Sequence, residues 1–239
     1  MTNKLVFATG NPGKLREARE ILGAAFEVLS PADAGVSGEA EETGSTFKEN
    51  SLLKAQYLFD RCGLACFADD SGLEVDDLGG APGIYSARYA SDHNFADNID
   101  RVLTELKQLE SEGTATPGNR LASLDPAADA VPPLTLPRVA WVSGGSVPSE
   151  LGTFPGKARF RCVATLILPG REPVFFDGAV EGRIARKRCG AGGFGYDPVF
   201  VADAYPDRTI AELPEDVKNG ISHRGVALRK MAAWLAEQF

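Results

Sequence analysis

The chain has 239 residues, 44% of them hydrophobic and 24% charged, with a formal net charge of -8. That length suits one large domain or two small lobes with ample core, and the acidic balance argues against stable nucleic-acid binding, because phosphates demand a basic face. The four cysteines lack paired CxxC spacing and no apolar run approaches the roughly 20 residues that span a bilayer, so reduced thiols, no membrane partner and a soluble, cytoplasmic protein are expected.

In chain order, Leu5–Ala8 predicts a buried first strand. Thr9, Gly10, Asn11, Pro12, Gly13 and Lys14 then lead into a helix marked by Leu15, Ala18 and Leu22, with Pro12 in its first turn. Such a turn offers backbone N–H groups to an anion and Lys14 adds a positive charge. The spacing is not that of a Walker A loop, and an ordinary strand-to-helix connection would read the same way. Phe26–Leu29 predicts a short second strand. The acidic loop that follows, with Glu39, Glu41 and Glu42, is either a solvated turn or the edge of a site. Thr46 to Glu49 matches a capping box, and Phe47, Ala55, Leu58, Phe59 and Cys62 trace the buried side of a helix ending near Gly63.

The chain is organised around Phe67–Tyr89, FADDSGLEVDDLGGAPGIYSARY. The apolar run Leu64–Ala68 reads as a buried strand stopped by Asp69 and Asp70, with Ser71 and Gly72 turning the chain. Side chains alternate along a strand, so only one of the two aspartates can face a given side. A carboxylate there suits a hard cation that also meets phosphate oxygens, while a polar turn that merely ends a strand fits equally. Gly79, Gly80, Pro82 and Gly83 form a second tight loop before Tyr85, Ser86 and Arg88. An amphipathic helix is expected over Asn94–Leu109. Residues 113–155, rich in Pro, Gly, Ala and Ser, then suggest a mobile insertion or lid within a single 1–239 domain, with Arg138–Val142 able to form a small strand.

Arg159–Leu168 is the strongest strand signal, and Gly170–Pro173 with Val174–Val180 completes a β-hairpin. Phe194, set among glycines in Gly190–Pro198, either lies against a planar ligand or packs as a corner. Ser222 suits the N-cap of a last helix carrying Leu228, Met231 and Leu235. Lys218, His223 and Arg224 are either solvated charges near its start or ligand contacts.

Five pieces in order carry a resemblance: ATGNPGK (Ala8–Lys14), EETGSTFKEN (Glu41–Asn50), ADDSGLEVDDLGGAPGIYSARYA (Ala68–Ala90), GGFGYDP (Gly192–Pro198) and ISHRG (Ile221–Gly225). Together they resemble the inosine triphosphate pyrophosphatase-like family, whose members hydrolyse non-canonical purine nucleoside triphosphates. The resemblance implies an α/β fold with a long mixed central β-sheet flanked by helices, two lobes around an active-site cleft, a magnesium cofactor and a homodimer. It implies that Thr9, Gly10, Asn11, Pro12, Gly13 and Lys14 hold the triphosphate, that Glu41 and Asp70 bind Mg2+, and that Asp70 is the catalytic base. By the same resemblance Ser71 touches substrate, Phe194 stacks on the base with Gly195, Tyr196 and Asp197 continuing that wall, and Lys218, His223 and Arg224 complete recognition. The implied reaction converts ITP, dITP or XTP to the monophosphate and pyrophosphate. A catalytically silent nucleotide-binding module would not need Glu41 and Asp70 together, and a pyrophosphatase for modified pyrimidine nucleotides is opposed only by the resemblance at His223-Arg224. The family pattern gives residues 113–155 no role.

Overall fold

The computed structural model describes residues 3–113 and 151–238. One six-stranded mixed sheet runs through it in the order β2 (Phe26–Leu29), β1 (Asn3–Phe7), β3 (Cys66–Val75), β4 (Ala158–Ile167), β5 (Val174–Ile184), β6 (Phe200–Ala202). β1 lies parallel to β2 and β3, and β3 to β6 form an antiparallel meander. Helices α1 (Pro12–Leu22), α2 (Phe47–Cys62) and α3 (Phe95–Ser111) precede β4, and α4 (Glu215–Ile221) and α5 (His223–Ala236) follow β6. This is the expected α/β class with a long mixed sheet. Among the described residues no helix is long and apolar enough to cross a membrane.

Short polar side chains start the helices by accepting from amides that have no partner within the helix. Asn11 caps α1, Thr46 caps α2, Asn94 caps α3 and Ser222 caps α5. The box expected at α2 forms by half: Thr46 accepts from the Glu49 amide, but the Glu49 carboxylate bonds Ser45 instead of the cap residue. Gly63, at φ 64°, ends α2 in the left-handed conformation that glycine adopts without strain.

β3 and β4 are long enough to serve two cores. One cluster joins Phe7, Leu22, Phe67, Leu166, Leu228 and Met231 under α1 and α5. On the opposite face Val6, Ala55, Leu58 and Ala68 pack under α2. The other ends of the same two strands contribute Leu73, Val75 and Phe160 to a second lobe with Val102, Leu106 and Phe200. The polar run Asp69-Asp70-Ser71 falls on β3 at the seam between these lobes.

The strand therefore does not stop at Asp69 and Asp70, as the sequence suggested. β4 offers a backbone partner at every step, pairing Asp69 with Ala164, Asp70 with Val163, Ser71 with Cys162 and Gly72 with Arg161. Gly72 is needed because a Cβ there would lie 2.4 Å from the Gly83 carbonyl, where the 83–86 turn closes on the strand. Leu64, expected to open this strand, precedes it and is 44% exposed. β5 continues past Val180 to Ile184, and α4 and β6 had no expectation of their own beyond the apolar pair Val199-Phe200. Residues 114–150, including the expected strand Arg138–Val142, lie outside the described residues. The last part of the expected insertion belongs to the body: Leu151 and Phe154 are buried, and Phe154 N donates to the Ile184 carbonyl.

α5 rests directly on β5 at Gly178, where a Cβ would lie 2.0 Å from the His223 carbonyl oxygen and 2.7 Å from Ala227 N. Gly178→Ala should lower the unfolding free energy by about 1–3 kcal/mol, the usual cost of overpacking. Gly220→Ala in α4 meets nothing within 4 Å and should gain up to about 1 kcal/mol of helix propensity. Urea unfolding of both variants checks the contrast, and equal stabilities would contradict this packing.

Candidate active site

A cavity of about 1350 Å³ opens at the seam and is lined from the turn after β1, α1, α2, β3, the 194–197 loop and the start of α5. The turn after β1 forms part of its wall. It is more self-satisfied than its composition suggested: Asn11 N donates to Thr9 Oγ1, and Gly13 N and Lys14 N donate to Asn11 Oδ1. Gly10 is the turn amide with no partner within the chain among the described residues. Thr9, Gly10, Asn11, Pro12 and Lys14 line the cavity, whereas Gly13 does not.

Alternation along β3 sends the two aspartates to opposite faces. Asp69 follows Phe67 toward α1 and α5, where its carboxylate accepts from Lys14 Nζ at 3.1 Å and Arg224 Nε at 3.1 Å. Burial alone would raise its pKa, but Lys14, Arg224 and Lys54 hold it far below the carboxylate range. Asp70 follows Ala68 toward α2, where Oδ1 lies 2.8 Å from Lys54 Nζ and Oδ2 lies 3.3 Å from Asn50 Nδ2. Burial, reinforced by Glu42 and opposed by Lys54, pushes Asp70 above the ordinary carboxylate value. Ser71, on the Asp69 side, donates to Asp69 Oδ2 and accepts from Arg224 Nη2.

Lys54 also reaches Glu42 Oε1 at 2.9 Å, and Glu42 Oε2 accepts from Arg88 Nη1 at 3.2 Å. Glu42 lines the cavity beside Asp70. Glu41, the glutamate expected there, is exposed and off the cavity wall. The sequence reading also passed over Lys54 and Asn50, although their spacing of four residues puts both on one side of α2.

Phe194 is 42% exposed, with Lys218 Nζ 4.6 Å and Arg224 Cζ 5.8 Å from its ring centre. Asp197 is buried and accepts from Lys218 Nζ and from Phe194 N, fixing this corner. Gly195 lines the cavity. Tyr196 is mostly core, its hydroxyl donating to the Ser86 carbonyl. The solvated first turn of α5 that the sequence allowed does not occur. The His223 ring stacks on Phe160 at 5.0 Å, and Arg224 is 1% exposed. All three Arg224 nitrogens already donate, Nε to Asp69, Nη1 to Glu17 Oε2 at 2.6 Å and Nη2 to Ser71. Glu17, buried on α1 and also accepting from Ser222 Oγ at 2.6 Å, is another residue the sequence reading missed. It stands three residues after Lys14, on the same side of α1.

The Ham1 family model matches residues 5–130 and 149–234. A dITP/XTP pyrophosphatase of Bacillus subtilis is 39% identical over 232 residues, covering 96% of each chain. Among solved structures, the Ham1 protein of Staphylococcus aureus shares 32% identity with a TM-score of 0.72, and a HAM1 protein from Coxiella burnetii shares 33% with a TM-score of 0.73. Each alignment covers 99% of this chain and 100% of the other.

His223 gives the site a pH signature. Burial, with Arg224 alongside, holds its imidazole well below the ordinary 6.5. The unfolded chain takes up a proton below about 6.5 that the folded site refuses, so stability is full above that pH and declines beneath it. Between pH 7.5 and 5.5 this one group should remove on the order of 1 kcal/mol. His223→Gln should lose that part of the decline in urea unfolding at the two pH values. An unchanged decline would mean that folded His223 accepts the proton.

Proposed function

The chain belongs to the Ham1 family, and we propose that it is a nucleoside triphosphate pyrophosphatase that converts ITP, dITP and XTP to the monophosphate and pyrophosphate, clearing them from the nucleotide pool. The observation that carries this reading is that one cavity brings together Lys14 and its turn, the Asp70–Glu42 pair and an open aromatic flanked by cations. The relatives named dITP/XTP pyrophosphatase support the choice of base.

The donor set fits a hard divalent cation. One oxygen of Asp70 and one of Glu42 already share a single ammonium, and magnesium favours one or two carboxylates completed by water and substrate phosphates. Asp70 and Glu42 would hold Mg2+ here, where it would neutralise phosphate charge and acidify a bound water. Asp70, anchored through Asn50, takes the proton of the attacking water. Lys14 meets the charge that develops on the pyrophosphate leaving group. Phe194 covers the base, while Lys218 and the remaining N–H groups of Arg224 present donors to a keto purine. Adenine would set an amine against those donors, a mismatch that discriminates strongly. Ser71, between Asp69 and Arg224, faces the sugar-phosphate.

The two lobes share β3 and β4, which supports treating residues 1–239 as one domain. A homodimer and a cytoplasmic location belong to the same proposal through the family resemblance, and the net charge of -8 supports small-molecule over nucleic-acid substrates.

Turnover of a nucleoside triphosphate panel with magnesium, with pyrophosphate and orthophosphate measured separately, tests the reading. In heavy-oxygen water a single turnover should label the monophosphate, because attack falls on the α-phosphorus. Label in pyrophosphate, or release of orthophosphate, would sink the proposed geometry. Asp70→Asn should lower the rate on the order of a hundredfold or more while the protein stays folded. Glu42→Gln should weaken metal dependence by at least about tenfold, and Glu41→Gln should leave it near normal. The reverse ranking of the two glutamates in a magnesium titration would return the metal site to Glu41.

A further inference from the structure

We propose that Lys54 is the resident counter-ion of the metal seat: its ammonium occupies the point where Asp70 and Glu42 converge, so a divalent cation binds only by expelling it. The proposal rests on the reading above that these two carboxylates hold the metal.

Each carboxylate divides its oxygens the same way. Asp70 gives Oδ1 to Lys54 at 2.8 Å and Oδ2 to Asn50 at 3.3 Å. Glu42 gives Oε1 to Lys54 at 2.9 Å and Oε2 to Arg88 at 3.2 Å. The outer oxygens are tied to the frame, and the inner pair faces one shared cation. Those inner oxygens are the ones a hard cation would take. The Lys54 side chain is only 15% exposed, so a divalent ion and the ammonium cannot occupy this pocket together without strong like-charge repulsion at short range.

Lys54 also solves a problem of the nucleotide-free protein. Two partly buried carboxylates brought this close would repel, and an unpaired buried charge is costly. The ammonium keeps them together and ready. Its four-carbon stem is flexible, and Lys54 lines the same cavity as Lys14, so the displaced ammonium can turn to a phosphate tail without leaving the site. Metal and nucleotide then assist each other: the metal frees Lys54 for phosphate, and phosphate gives Lys54 a place to go. Such coupling is reciprocal by thermodynamic necessity.

Manganese binding to nucleotide-free protein, followed by loss of the free-ion electron paramagnetic resonance signal, tests this without turnover. Lys54→Met, which keeps the stem and removes the charge, should bind Mn2+ about 5- to 150-fold more tightly than the parent, the usual span of a coupling between two ligands. Pyrophosphate should tighten Mn2+ binding by a larger factor in the parent than in Lys54→Met. Affinity in Lys54→Met equal to or below that of the parent overturns the proposal. Adding Asp70→Asn or Glu42→Gln to Lys54→Met should abolish the gain. If the double variants bind as tightly as Lys54→Met, the seat itself is misassigned and the functional reading above fails with it. If those carboxylate changes weaken Mn2+ binding in the parent but Lys54→Met gives no gain, the seat stands and only the counter-ion role falls. Should Lys54→Met and Lys54→Gln both fold poorly without metal, Mn2+ should restore their thermal unfolding transition, and no restoration overturns the proposal.

Discussion

One buried carboxylate, Asp69, fixes where everything else in this molecule goes. It sits in the middle of β3 and accepts from Lys14 on α1 and Arg224 on α5. Arg224 passes the balance to Glu17, which returns to α1 one helical turn from Lys14. Two cations and two carboxylates thus close a ring through three elements, with Ser71 and Ser222 filling remaining positions. Removing one member would leave a largely buried charge uncompensated, which is why breaking such a pair is far more costly than its net contribution suggests. Burial would neutralise a lone aspartate, but Lys14, Arg224 and Lys54 hold Asp69 in its charged form, and Asp69 and Glu17 do the same for Arg224.

Asp70 is the next residue and lives under different rules. The period of two along a strand sends it to α2, where burial raises its pKa. Adjacent identical residues therefore divide the labour: one is permanently charged and holds the frame, and the other keeps a proton more readily. That division depends on β4 pairing through the run, because a turn at Ser71-Gly72 would have released both side chains to water. At the seam between the two cores, polar groups on β3 replace apolar ones without opening either core.

Much of this was legible from residue pattern alone. The caps of α2 and α5, the period of α3 and the β4–β5 hairpin each follow from local chemistry that the fold leaves intact. The course of β3 was not, because Asp-Asp-Ser-Gly is turn chemistry by composition and only a distant strand overrides it. Glu41 and Glu42 look alike in a sequence. A backbone bond from Thr43 N to the Glu41 carbonyl accompanies a loop conformation that leaves the first outside and the second in the cavity. Arg224 reads in the sequence as either a solvated charge or a ligand contact at a helix start, and its buried carboxylate partners stay hidden because they are far away in the chain. Glu17, spaced from Lys14 like any surface residue of α1, carried no mark of its burial.

Those separations have a further consequence. Arg224 meets Asp69 across 155 residues and Glu17 across 207. α5 also supplies Leu228, Met231 and Leu235 to the core beneath the first strands. Contacts this distant close late, since the chain entropy of the loops must be spent before they are rewarded. During synthesis, β1, α1 and β3 leave the ribosome long before α5 does. Until it arrives Lys14 and Asp69 have no Arg224, and the groove above the first strands has no floor. The cavity wall is therefore unfinished until α5 has been made, because Arg224 and His223 line it from that helix.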